Sequence, residues 1–259
     1  MTKLKATRLL CALALGATMS NLLAQQPGSS PPATAKFTSS ETATTLIELF
    51  TSEGCSSCPP ADAWMSGLKG SPDLWKAIVP VVFHVDYWDR LGWPDRFARP
   101  EFTERQRHYA SSWATGSVYT PAFVVNGKEW PGFFNHETAP RARSQKVGIL
   151  EIAVKEKEAV ATFLPENSPH GALNLEVALL GTNLQSDVKR GENSGRKLRH
   201  DFVVLRLART DMTNQGDRWR GTVLLSTNAE IDKPTALAAW IKSAETDPPI
   251  QATGGWLKP

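Results

Sequence analysis

Cys55-Ser56-Ser57-Cys58 stands between two segments of opposite character. Before it runs Leu46-Ile47-Glu48-Leu49-Phe50, apolar and β-branched with little helical period, which predicts a buried strand. After it come Pro59-Pro60-Ala61-Asp62 and a helical pattern over Ala61–Leu68, ended near Gly70. Proline is comfortable only in a helix's first turn. Either the helix starts near Pro59, leaving Cys55 in the loop that leads to it, or it carries a defect just past Cys58. Cys11, the third cysteine, lies in a removable stretch. The working chain then owns two thiols three positions apart at a strand-to-helix junction, a placement suited to reversible disulfide chemistry.

The first residues read as an export signal. Lys3, Lys5 and Arg8 precede the apolar Leu9–Met19 run, too short to span a bilayer, and Leu22-Leu23-Ala24 offers a cleavage site. No other segment is long and apolar enough to cross a membrane, so no membrane insertion is expected after cleavage. Those three basic residues account for the whole formal charge of +3. The remainder is near neutral and has no electrostatic footprint for nucleic acid. The expected location is periplasmic or secreted, where a cysteine pair closes.

Residues 25–43, rich in Pro, Ser, Thr and Ala, read as a flexible leader. Ile78–Asp86 predicts a second buried strand and Phe102–Trp113 an amphipathic helix. Ala122–Lys128 reads as a strand entering an Asn-Gly turn, with Glu129–Gly132 its hairpin partner. Glu137–Val147 reads as a helix. From Gly148 the pattern turns to period two: Leu150–Val154, Val160–Leu164, Leu173–Leu180, Phe202–Leu207 and Thr222–Leu225 alternate between turn residues. Thr235–Ser243 fits helix or strand, strand being preferred. The expected architecture is an α/β domain over 44–147, a mixed sheet flanked by helices, followed by an antiparallel β-rich, sandwich-like domain over 148–259.

A thiolate attacks disulfides, and a second cysteine one helical turn on resolves the mixed disulfide within the same chain. Cys55 is the expected attacking thiol and Cys58 the resolving one. With Glu53 close by and no cation between the cysteines, a weakly acidic thiol and a moderate couple are expected. Thr120-Pro121 precedes the Ala122 strand. A cis proline there exposes neighbouring backbone to an incoming peptide and shapes a substrate groove, whereas a trans proline is only a strand boundary. The exchange reading requires sulfurs that solvent reaches and that lie beside this peptide.

On these elements the chain resembles the thioredoxin superfamily and, more narrowly, is similar to the exported bacterial family catalogued as domain of unknown function 1223. The resemblance is carried by Glu48–Asp62, His84–Asp89 with Leu91–Asp95, Tyr119–Ala122 and Arg190–Arg196. It implies a thioredoxin-like domain with an appended β-rich domain, and no established substrate. Gly54 before the first cysteine, Ser-Ser between the two, and a long insertion over Tyr87–Ser117 depart from the ordinary thioredoxin pattern. In thioredoxins a buried acid relays a proton to the resolving thiol. The resemblance gives that role to Glu48, and the alternative is a solvent-facing strand residue.

Trp88 and Trp93, in Tyr87–Phe97, either pack a loop or cap the substrate groove together with Thr120. His84 and His108 raise a dithiol carrier of Cu or Zn, although a mid-strand His84 is more simply a core histidine. Arg190–Arg196 reads as a solvated hairpin loop; the alternatives are that it holds an anion or bridges the two domains through Glu192 and Arg196. Hydrolase and phosphate-loop motifs are absent and no cofactor is expected. The sequence thus predicts a thiol–disulfide oxidoreductase that exchanges with a protein or small thiol and needs an external redox partner. The alternatives are a non-catalytic binding module with a structural disulfide and the metal carrier.

Overall fold

The computed structural model describes residues 35–257 apart from 114–115, 139, 141–143, 170 and 226–232. The expected signal segment with Cys11, and part of the segment Glu137–Val147 expected to be a helix, lie outside the described residues. All that are described belong to the unit Ala33–Pro259.

In chain order the strands and helices are β1 (Ala35–Thr38), β2 (Thr45–Thr51), α1 (Pro59–Gly67), β3 (Ile78–His84), α2 (Pro100–Ala110), β4 (Ala122–Val125) and β5 (Lys128–Glu129). There follow β6 (Gly148–Lys155), β7 (Glu158–Pro165), β8 (Leu173–Gly181), β9 (Leu184–Asp187), β10 (Lys197–His200) and β11 (Val203–Asp211). The last are β12 (Thr213–Asn214), β13 (Trp219–Leu224), β14 (Ala236–Ser243) and β15 (Pro249–Trp256).

Strands dominate, and the expected helix-flanked thioredoxin-like α/β domain followed by a β-rich sandwich is overturned. The two α-helices among the described residues accompany three sheets. The largest sheet has eight strands in the order β15-β14-β8-β11-β3-β2-β4-β5, so it draws on both halves of the sequence. β2 and β3 run parallel, and β11 joins β3 in parallel at Val203 and Val82. A five-stranded sheet, β1-β6-β7-β13-β12, and the β9–β10 pair complete the structure.

In β6, β7 and β13 the alternation separates core from more exposed positions as read, but in β8 and β14 it has a different cause. In β8, Leu173, Leu175, Val177 and Leu179 enter the core shared with the five-stranded sheet, while Ala178 and Leu180 enter the core of β2, β3 and the helices. β14 divides in the same way: Leu237, Ala239 and Ile241 on one side, Ala236, Ala238 and Trp240 on the other. Period two here separates two cores rather than core from water. Small residues on the helix side made that face look less buried than it is.

Other departures are local. Ala35–Thr38 forms an antiparallel edge strand on β6, inside the segment expected to be a flexible leader. Of Glu137–Val147, the described residues near Gln145–Val147 run beside Glu41–Ala43 through backbone bonds instead of forming a helix. The Asn126-Gly127 turn is formed as read, with both residues at positive φ. A Cβ on Gly127 would meet Pro248 backbone N at 2.8 Å, so the turn needs glycine for space as well as conformation.

α2 is clamped to the sheet by charge. Arg105 donates to Glu48 Oε2 on β2 at 2.6 Å and to Glu176 Oε2 on β8 at 2.7 Å. Tyr109 OH donates to the other Glu48 oxygen at 2.8 Å. Burial works against the guanidinium charge, but Glu48, Tyr109 and Glu176 outweigh it and hold the Arg105 pKa well above its usual value.

Candidate functional site

β2 is buried along its whole length and delivers the chain into the loop that carries the cysteines. α1 begins at Pro59, with Cys58 as its N-cap, so the two prolines occupy the first turn. The first N–H donors after them, Ala61 and Asp62, bond Cys58 O at 2.9 and 3.1 Å. Cys55 therefore sits in the loop, with little of the helix field aimed at it.

Cys55 and Cys58 are joined by a disulfide, with Cα atoms 5.5 Å apart. Cys55 Sγ lies 3.8 Å from Thr120 O, so the cysteine loop and the Thr120-Pro121 segment meet as expected. The Thr120-Pro121 peptide is cis. The Ser57 hydroxyl donates to Cys55 Sγ at 3.4 Å, because an oxidised sulfur has no proton to give. α2 holds the segment from behind: Gln106 Nε2 donates to Tyr119 O at 2.6 Å, and Tyr87 OH donates to Gln106 Oε1 at 3.2 Å.

The other requirement is not met. Both cysteines are 0% exposed, although Ser56 and Ser57 between them face solvent. The Arg190–Arg196 loop packs against the backbone of the cysteine loop. Asn193, itself fully buried, donates from Nδ2 to Glu53 O and Cys55 O at 2.9 Å each. Arg196 holds Asn193 Oδ1 at 2.7 Å, and Glu192 accepts from Ser56 N–H at 3.1 Å. The bridge read for Glu192 and Arg196 thus exists, but Asn193 carries its centre. Only the polar, turn-forming character of the loop was visible in sequence, and that also fits a solvated hairpin.

Glu48 is buried, yet its oxygens bond Arg105 and Tyr109 rather than a cysteine. Trp88 lies behind Gly54, where an added Cβ would come 3.0 Å from its own Cβ. Trp93 donates from Nε1 to Glu53 Oε2 at 2.7 Å. Both tryptophans are half-buried beside the cysteine loop. His108 pairs with Asp247 at 2.6 Å on the surface, away from His84.

Sequence reasoning missed a cluster at the ends of β2 and β3. His84 Nδ1 and Asp95 Oδ2 are 2.6 Å apart, and both side chains are fully buried. Asp95 also accepts from Glu53 N–H at 2.8 Å and Phe97 N–H at 2.9 Å. His200 lies 3.4 Å from Glu53 and 3.8 Å from Asp62. Its ring meets His84 edge to face at 4.9 Å. His200 had no motif around it, because only the fold brings β10 to the cysteine loop. No group of three or more His, Cys, Asp or Glu among the described residues is arranged to hold a metal ion.

Charge in this cluster is uneven. Burial pushes the Asp62 carboxyl up, against the pull of His200 and His84. Burial opposes charge on His84 as well, but Asp95 outweighs it and raises His84. Asp95 is held low by His84 and by the two backbone amides, despite its burial. A carboxyl with a raised folded pKa contributes stability below its ordinary 3.8 and loses it as pH rises through the folded value. Asp62→Asn is therefore expected to be more stable than the parent at neutral pH, with the difference closing as pH falls towards 3.8. Urea unfolding across that range checks it.

Fold and site together define a β-rich protein with a covered CxxC disulfide at a strand–helix junction. The chain belongs to the family described as protein of unknown function (DUF1223), whose model matches residues 46–242. Among solved structures it is similar to protein AGR_C_4864 from Agrobacterium tumefaciens, at 25% identity and a TM-score of 0.61 over 83% of this chain and 95% of that one. It is also similar in fold to HBP35 of Porphyromonas gingivalis, at 18% identity and a TM-score of 0.56 over 85% of this chain and 76% of that one. No match was found among curated proteins.

Proposed function

We propose that the chain is an exported thiol–disulfide exchange protein whose dithiol is Cys55 and Cys58. The observation that carries this reading is the Cys55–Cys58 bond in the loop between β2 and α1, with Thr120 O 3.8 Å from Cys55 Sγ. A carbonyl there marks where extended backbone of a partner meets the reacting sulfur, with Thr120 and Pro121 forming the groove wall and Trp88 and Trp93 its flank. Cys55 attacks and Cys58 resolves. Glu48, committed to Arg105, is released from the proton role. We assign it instead to Asp62, one helical turn on from Cys58, whose Oδ1 is buried without a hydrogen-bond partner among the described residues. Both sulfurs are covered, which fails the condition of solvent-reachable sulfurs set for exchange by the sequence, so the reading applies to a form in which the Asn193 contact has opened as a partner docks. The signal-like segment from Lys3 to Ala24 is what supports export.

A second reading is favoured by that same cover. Two sulfurs at 0% exposure, clamped by Asn193, also fit a permanent staple in a binding module. Such a short loop gives little chain-entropy stabilisation, which argues mildly against it. Equilibration in glutathione and dithiothreitol buffers, with thiol trapping, separates the two. Exchange predicts a midpoint more positive than about −300 mV, within reach of cellular thiol pools. A bond that stays closed to about −300 mV or below selects the staple.

A further inference from the structure

Between α1 and the β9–β10 pair runs a groove of about 480 Å³ that starts at Pro59, next to the resolving cysteine. Asp62 and Ser66 of α1 line one side. Lys69, Arg196, Lys197 and Arg199 bring four cations to it, against the acids Asp62 and Asp201. Asp201 pairs with Lys69 at 2.8 Å, so these two cancel and Arg196, Lys197 and Arg199 carry the positive charge of the groove. Asp62 is buried and held towards its neutral form. Among the described residues the acid paired with Lys197 is Asp187, loosely at 3.8 Å. Arg199 is exposed on β10 and has no ion pair among the described residues. Arg196 links the groove to the dithiol, since its guanidinium holds Asn193 and Asn193 holds Cys55 O.

We infer that this groove selects the exchange partner by charge, taking disulfides or thiols that carry carboxylates close to sulfur. The inference rests on the exchange reading above and names its substrate class. A cleft lined with one sign of charge concentrates ligands of the opposite sign and raises their association rate by about ten-fold or more. The chemistry is ordinary exchange. In the reduced protein the Cys55 thiolate attacks one sulfur of the small disulfide and expels the other half as a thiolate. Cys58 then displaces the bound half as the Cys55–Cys58 bond forms. The two electrons leave on the two released thiols, which also receive the protons of Cys55 and Cys58.

The test uses the full-length protein, reduced and freed of reductant, with two small disulfides of opposite charge: dithiodipropionate, a dianion, and cystamine, a dication. At low ionic strength the dianion is expected to oxidise the protein about ten-fold faster, relative to each compound's rate with a free thiol control. The preference should fall towards unity in high salt. It should vanish in the double variant Lys197→Glu/Arg199→Glu, whose changed residues touch neither cysteine. Equal rates for both disulfides in the parent, or a preference unchanged by charge reversal, overturn the groove assignment and leave exchange intact. No reaction with either disulfide removes the exchange reading itself, and the groove assignment falls with it.

Discussion

Arg105→Met is expected to lower the unfolding free energy by about 3–5 kcal/mol, the range for breaking a buried ion pair from one side. The reason is what remains. Glu48 is 0% exposed and Glu176 nearly so, and both lose their main cation at once. Tyr109 also loses the guanidinium, which lies 3.1 Å from its hydroxyl. Lys242 and Arg209 approach Glu176 only at 3.8 and 3.7 Å, too far to replace Arg105. The triple variant Arg105→Met/Glu48→Leu/Glu176→Leu is expected to recover most of the loss, since a packed apolar triad is often as stable as a buried ionic one. Chemical denaturation of both variants decides it. A single variant within about 1 kcal/mol of the parent would show that the clamp is ornamental rather than structural.

Asp95→Ala is expected to cost a similar amount, about 3–5 kcal/mol, or roughly ten degrees in Tm for a protein of this size. Asp95 satisfies three donors, on His84, Glu53 and Phe97, and thereby fixes the residue that precedes Gly54 and Cys55. Its loss also reshapes the pH profile. His84 is raised, so its contribution is complete below 6.5 and disappears as pH climbs through its higher folded value. Asp95 is lowered, so its contribution is complete above 3.8 and disappears as pH drops through its lower folded value. The pair is worth most between those limits, and in Asp95→Ala the stability gain in that window should flatten. A variant whose urea midpoint keeps the parent's dependence on pH would contradict the assignment.

What the sequence made legible follows from how locally each feature is encoded. β2, β3 and α2 were readable because apolar runs and helical spacing are written in neighbouring residues. α1 was readable from Pro59 and Pro60, which leave few places for a helix to begin. The meeting of Cys55 with Thr120 was readable because both segments had a recognisable form. The shared sheet was not. Glu176 looks like a solvent-facing strand residue until Arg105 arrives from another element. Ala178, Ala236 and Ala238 do not announce a buried face. Glu48 fitted a proton relay by position along its strand, and only the arrival of α2 shows its partner. Asn193 sits in a segment whose composition describes a loop, and His200 has no motif around it. Their roles arise from distances that no spacing in the chain encodes.

The seam between β3 and β11 has a consequence for biosynthesis. β3 obtains its second neighbour only when Val203 is in place beside Val82. A growing chain can assemble β2, β4 and the helices early, yet one flank of β3 stays bare until most of the polypeptide has been made. Bare strand flanks recruit other chains. Fragments ending before β11 should therefore precipitate or bind chaperones, even when they contain every residue around the cysteines.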